Sequence, residues 1–144
     1  MLVKDIMNTN VVSINPEESA TMAARLLYRH NVGSLPVCAL DGKLKGIVTD
    51  RDIVLRCVAP ECDPGATKVR EIMTRGVVSV PPTTELQDAA TIMANEQVRR
   101  LPVVEDGRLV GMLALGDMAK THRYDMEAGH TLSEISQNVR KFRS

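Results

Sequence analysis

Along this chain the hydrophobic positions follow two periods, and the whole pattern is written twice. A short β-rich run (Val11–Ile14, then Val77–Val80) is followed by proline and polar residues that can open a helix. Helical spacing follows: Met22, Ala23, Leu26 and Leu27 in the first copy, and Leu86, Ala89, Ala90 and Met93 in the second. Another β-rich run comes next, Leu35–Ala39 and Leu101–Val104, and ends at Asp41-Gly42 and Asp106-Gly107. Asp-Gly with an apolar run on each side is a hairpin signal. The second hairpin strand leads into a further helix, over Asp50–Val58 and Leu115–Lys120. The pattern therefore predicts an α/β (α+β) chain of two β-α-β-β-α units.

The letters repeat as well as the pattern. Val3-Lys-Asp-Ile-Met7 returns 66 residues later as Val69-Arg-Glu-Ile-Met73, and Leu35-Pro-Val37 returns as Leu101-Pro-Val103. One residue is lost in the next loop, so that Gly46 pairs with Gly111 and Asp52 with Asp117. Identities number 13 of 37 positions over 3–39 and 5 of 14 over 41–54. Unrelated segments of average composition would agree at about one position in fifteen. The chain is a tandem duplication: repeat 1 over 1–59, a linker over 60–68 with Pro60, Pro64 and Gly65, and repeat 2 over 69–120. The tail, 121–144, breaks the repeat. Its Leu132, Ile135, Val139 and Phe142 form one apolar stripe, which predicts an amphipathic helix that Thr131 or Ser133 can cap.

Composition narrows the possible functions. Eighteen basic residues balance eighteen acidic ones, so no general field draws the chain to nucleic acid or to a membrane surface. Tyr28, Tyr124 and Phe142 are too few for a base-stacking platform. No apolar run approaches the ~18 residues of a transmembrane helix, and Met1–Thr9 lacks the apolar core of a signal peptide. Cys38, Cys57 and Cys62 are odd in number and too sparse for a disulfide framework, which points to a reducing cytoplasm. The eight methionines, with Met22, Met73, Met93 and Met112 at apolar-periodic places, read as core filler.

Motifs for catalysis are missing. His30, His122 and His130 have no metalloprotease-type spacing, and His30 ends a helix, where a cation complements the dipole. Cys57 and Cys62 have no second ligand pair, so no metal site is expected. The Gly107-Arg-Leu-Val-Gly111 spacing belongs to a hairpin and not to a phosphate loop. Asp50 and Asp52 are the only paired carboxylates near a plausible site.

Three motifs, each in both copies or in register with its twin, carry a family resemblance. They are the Val-x-x-Ile-Met openings, the Leu-Pro-Val strands, and Gly46-Ile-Val-Thr-Asp-Arg-Asp52. Over about residues 1–120 the chain resembles a CBS-domain pair, the Bateman module. That resemblance implies two repeats packed about a pseudo-twofold axis, with two equivalent clefts for adenosine-containing ligands: AMP, ADP, ATP, S-adenosylmethionine or a dinucleotide. A carboxylate one turn into a helix can accept both ribose hydroxyls, and a hydroxyl with free N–H groups at the helix start suits phosphate.

Carried over residue by residue, the main cleft takes Thr49, Asp52 and Ile47 with Arg51, closed by Val77, Val78, Val98 and Arg99. The guanidinium of Arg99, with Arg51 or Arg100, is the expected phosphate partner. The second cleft takes Asp117 and Met112 with Val11, Val12, Val32 and Gly33. There Ala114 stands at the position of Thr49 and Gly33 at that of Arg99. A lost charge-assisted contact costs ~1.5–3 kcal/mol, so one competent and one weaker site are expected. A helix cap or salt bridge is the plainer role for Asp52. The implied function is a regulatory adenosine-nucleotide sensor, not an enzyme. It would need no cofactor beyond that ligand, would form a homodimer and would act in trans on a protein partner. The alternatives are a ligand-independent dimeric scaffold or stress-associated interaction protein, and, further off, an enzyme acting on a nucleotide.

Overall fold

The structure is a computed structural model that describes residues 1–121; the tail stripe from Leu132 lies outside the described residues. The elements are a 3-10 turn (Val3–Asp5), α1 (Ala20–His30), β1 (Ser34–Cys38), β2 (Leu44–Thr49) and α2 (Asp50–Ile53), which continues as a π-helical turn (Val54–Val58). Then come α3 (Val69–Ile72), α4 (Leu86–Glu96), β3 (Arg100–Glu105), β4 (Arg108–Ala114) and α5 (Leu115–Ala119). The order is mixed α+β in both halves, with two separate hairpins, β1–β2 and β3–β4.

The chain forms two compact units, and they do not follow the written repeats. One holds Met1–Val11, Val78–Asp106 and the described residues from Val110 on; the other holds Val12–Val77 with Gly107–Leu109. Each unit takes its lead-in segment from the other copy of the sequence. Val69, Ile72 and Met73 are buried with Ile14, Ala20, Ala23, Leu27, Leu35, Val37 and Val48. Val3 is buried with Val80, Leu86, Ala89, Met93, Leu101, Val103 and Leu113. Backbone bonds dock both segments in the same way. Val69 N donates to Glu18 O (2.8 Å) and Arg70 N to Pro16 O (2.9 Å), while Val3 N donates to Thr84 O (2.8 Å) and Lys4 N to Pro82 O (3.0 Å). Glu17 reinforces one docking through Lys68 (2.8 Å) and Arg70 (3.1 Å).

The runs Val11–Ile14 and Val77–Val80 have the composition of strands, but each makes only one parallel bridge, Ile14 with Val37 and Val80 with Val103. The cause is the proline that follows each leucine. Ile14 N donates to Pro36 O (3.0 Å) and Cys38 N to Ile14 O (2.9 Å). The next bond of a parallel ladder would run from residue 36 N to Val12 O, and proline has no N–H to give. Pro102 stops the second copy at Val78 in the same way. On the other side of each hairpin the lead-in segment adds one antiparallel bridge, Ile47 with Thr74 and Asn8 with Met112.

Both Asp-Gly hairpins form. Asp106 (φ +54°) and Gly107 (φ +79°) are both left-handed, as a two-residue type I′ turn requires. The first copy has one residue more: Gly42 (φ +86°) closes a wider loop, and the register slips between Val37 and Cys38. The helix expected over Asp50–Val58 changes to π geometry after Ile53, with Ala59 N donating to Val54 O at 2.8 Å. Helices α1 and α4 both end on a left-handed residue, Asn31 (φ 52°) and Gln97 (φ 57°).

Candidate functional site

The centre of the candidate site is the junction of β2 and α2. Thr49 leaves the strand in extended geometry (φ −117°, ψ 163°) and caps the helix. Asp52 N donates to Thr49 Oγ1 and Thr49 N donates to Asp52 Oδ2, both at 3.0 Å. This reciprocal capping box satisfies two backbone donors that a helix start otherwise leaves open. Two further groups converge on the same carboxylate from outside the motif. Thr74 Oγ1 donates to it, 3.3 Å from Oδ1 and 3.4 Å from Oδ2, and Arg56 Nη1 lies 3.8 Å from Oδ1. The same Arg56 nitrogen donates to the carbonyls of Ile72 (3.0 Å) and Met73 (3.1 Å). Asp52 is the one buried charged residue among those described, its side chain 9% exposed. A carboxylate survives such burial because three groups surround it: the Thr49 N–H, the Thr74 hydroxyl and the Arg56 guanidinium.

Gly46 makes the convergence possible. A Cβ there would run into the Thr74 carbonyl, which pairs with Ile47 at 2.9 Å while Thr74 N returns a 2.8 Å bond. Gly33 belongs to the same corner: its carbonyl accepts from Asp50 N (3.0 Å), and a Cβ on it would meet Asp50 Oδ2 at 3.6 Å.

The matching corner of the other unit is built differently. Ala114 has cap dihedrals (φ −106°, ψ 144°) close to those of Thr49, but offers no oxygen. Asp117 is 35% exposed, with Lys120 Nζ at 4.0 Å as its ion-pair partner. By alignment, Asn8 takes the place of Thr74 and Thr121 that of Arg56. Arg99 is exposed, and its carbonyl accepts from Leu115 N at 2.8 Å. The backbone thus seats Arg99 at the start of α5, as it seats Gly33 at the start of α2. One unit therefore holds Ile47, Thr49, Arg51, Asp52, Val12, Val32, Gly33 and Val77, and the other holds Val11, Val78, Val98, Arg99, Met112 and Asp117. Val12 and Val78 each keep a carbonyl from which the prolines withhold a ladder bond.

Arg56 and Thr74 escaped the sequence reading. Both stand opposite residues of another kind in the twin copy, and Thr74 follows the lead-in motif instead of lying inside it. The signal available was the glycine: Gly46 and Gly111 recur because a backbone must pass close by.

The CBS domain family model matches residues 3–58 and again 69–123. The chain belongs to the CBS-domain family. Its two halves are tandem CBS repeats of α+β type, and relatives that consist of little else share its length. It is 46% identical over 138 residues to the CBS domain-containing protein YhcV of Bacillus subtilis, covering 95% of this chain and 97% of that protein. Among solved structures, Hypoxic Response Protein I with two coordinated zinc ions superposes with a TM-score of 0.77 at 35% identity, covering 84% of this chain and 98% of that one. CBSX2 in complex with AMP gives 0.74 at 30%, covering 87% and 98%. The CBS pair of MJ0100, in complex with 5′-methylthioadenosine and S-adenosylmethionine, gives 0.71 at 31%, covering 83% and 98%. Among the described residues of this CBS chain no three His, Cys, Asp or Glu side chains converge as a metal cluster would need, and no helix is long and apolar enough to cross a membrane.

Proposed function

We propose that this CBS pair is a regulatory module that takes an adenosine-containing ligand (AMP, ADP, ATP or S-adenosylmethionine), assembles as a homodimer and acts in trans on a partner protein without catalysing a reaction. The observation that carries the reading is the corner at Thr49 and Asp52: a fixed hydroxyl and carboxylate at the end of a strand, in a fold whose solved relatives hold AMP, S-adenosylmethionine and methylthioadenosine. Asp52 would accept the ribose hydroxyls, and Thr49 with Arg51 would face phosphate. The apolar Ile47 and Val77 suit the adenine face. Val78, Val98 and Arg99 lie in the other unit, and their share in this site is carried by the family resemblance. A weaker second site is proposed at Asp117, whose helix start has no cap hydroxyl, with Met112 and Val11; Val12, Val32 and Gly33 lie in the other unit, and their share in it is carried by the family resemblance.

A second reading has its own observation. Every oxygen of Asp52 already has a partner within the protein, which is what a ligand-independent scaffold would show. Calorimetric titration of the purified protein with AMP, ADP, ATP, S-adenosylmethionine and NAD separates the two. Binding near one ligand per chain, lost in Asp52→Ala and kept in Asp117→Ala, is the expected result, with a thermal melt confirming that each variant is folded. No heat and no thermal shift with any ligand would leave the scaffold reading in its place. Divalent-metal-dependent turnover of the nucleotide would instead revive the enzyme.

A further inference from the structure

The stretch that ends the π-helical turn folds Cys62 back onto Cys57. Cys62 N donates to Cys57 O (2.9 Å) and Glu61 N to Val58 O (3.0 Å), while Glu61 is left-handed with φ +66°. These nested bonds around one left-handed residue are the Schellman helix end, with Cys57 three positions inside the cap and Cys62 two positions beyond it. In that motif the side chains at these two places frequently come into contact. The geometry agrees, because the Cys57 thiol lies 3.8 Å from the carbonyl oxygen of Cys62 itself. The Cys57 sulfur is thus held against the backbone of the residue that carries the second thiol. The two cysteines differ in access: Cys57 is fully buried and Cys62 is exposed.

We infer that Cys57 and Cys62 are a two-thiol oxidation site, with Cys62 the residue that meets a hydroperoxide and Cys57 the residue that resolves it. The Cys62 sulfur attacks the peroxide, the O–O bond breaks, and ROOH leaves as ROH with Cys62 as the sulfenic acid. The Cys57 thiol then attacks that sulfur, the S–O bond breaks, and water leaves as the disulfide forms. Two electrons pass from the thiol pair to the peroxide, and a dithiol reductant reverses the change. The ring so closed spans Cys57–Cys62 and fixes the helix end that carries Arg56, the residue that grips Ile72 and Met73. Burial keeps the oxidant from Cys57 until Cys62 has reacted, and the six-residue reach makes resolution intramolecular.

Trypsin isolates the pair. Cleavage after Arg56 and Lys68 gives one peptide, Cys57–Lys68, with both thiols, and cleavage after Arg29 and Lys43 gives another that carries only Cys38. Cys38 serves as the internal control, since burial pushes its thiol pKa up. The folded full-length protein is treated with hydrogen peroxide, quenched, alkylated in denaturant and digested. The expected product is the Cys57–Lys68 peptide, unalkylated, lighter by two hydrogen masses and restored by dithiothreitol, with Cys38 still alkylated. In Cys62→Ser, Cys57 should stay reduced at the same peroxide dose. The inference is overturned if Cys62 ends as sulfinic or sulfonic acid, or bridges two chains, while Cys57 is recovered alkylated. It is equally overturned if Cys57 oxidises in Cys62→Ser. The wild-type product decides the matter even if a serine variant folds poorly.

Discussion

The two helix starts form a paired experiment that the chain has half performed already. Thr49 caps α2 through its hydroxyl, whereas Ala114, in nearly the same backbone geometry, leaves the Asp117 N–H without a side-chain acceptor. Replacing an N-cap threonine by alanine costs typically about 1 kcal/mol, within roughly 0.5–2. Thr49→Ala should fall in the upper half of that range, because the 3.0 Å bond it removes is part-buried and orients the buried Asp52. Ala114→Thr should return a smaller stabilisation, about 0.5–1 kcal/mol, since Asp117 is partly solvated and its N–H loses less by facing water. In melting temperature these become a fall and a rise of roughly 2–6 °C. Urea unfolding followed by circular dichroism, without nucleotide, measures both. The denaturant slope should be unchanged, and if the two units unfold separately each variant should move only its own transition. Shifts of the same sign, or an Ala114→Thr variant no more stable than the parent, would refute the capping argument. Thr49 would then be held for some other purpose.

Two further predictions concern stability. Gly46→Ala forces a methyl onto the Thr74 carbonyl, a backbone atom that two hydrogen bonds hold in place, and should cost about 1–3 kcal/mol. Gly111→Ala should cost less, since its nearest neighbour at 2.8 Å is the flexible thioether of Met7; equal losses in urea unfolding would contradict the geometry. The Lys68 ammonium, with Arg70 beside it, holds the Glu17 carboxyl below its ordinary range, so its stabilising effect is present above the unfolded carboxyl value and fades as pH falls through the lower folded one. The melting difference between wild type and Glu17→Gln should therefore be seen at neutral pH, fade as acid takes the solution below the ordinary carboxylate range and shrink in high salt; a difference that persists in strong acid would rule out the ion pairs as its source.

Most of the architecture is legible in the letters because it rests on local chemistry. Asp106-Gly107 can take two left-handed residues in succession, and the apolar spacing around Ala23 and Ala89 marks one buried helix face. The deletion that shifts the repeat offset is the tighter second turn. What the letters hid is non-local. Val11–Ile14 has the composition of a strand, and only its pairing with a proline-bearing neighbour cuts it to one bridge. The destination of Val3–Met7 and Val69–Met73 is also hidden, because two copies of one motif fit either core equally well. At the candidate site Thr49 and Asp52 are visible as a motif. Arg56 and Thr74 come from the helix end and the far lead-in segment, which meet Asp52 only once the chain has folded.

The borrowed lead-in segments separate the unit of inheritance from the unit of folding. A single CBS repeat, made alone, would carry its Val-x-x-Ile-Met segment on the wrong side and leave its own core uncovered where Val69 and Ile72 now lie. It could complete itself only by trading segments with a second molecule, at a cost set by concentration. Joining two copies in one polypeptide makes the trade intramolecular, but it also orders events during synthesis. The segment around Val3 must wait for β3 and β4 before it has a core to join, while Val69 and Ile72 follow directly on the helix and strands they cover. A cut between the repeats as written would thus spoil both halves, and the natural seams of the molecule fall after Val11 and Val77 instead.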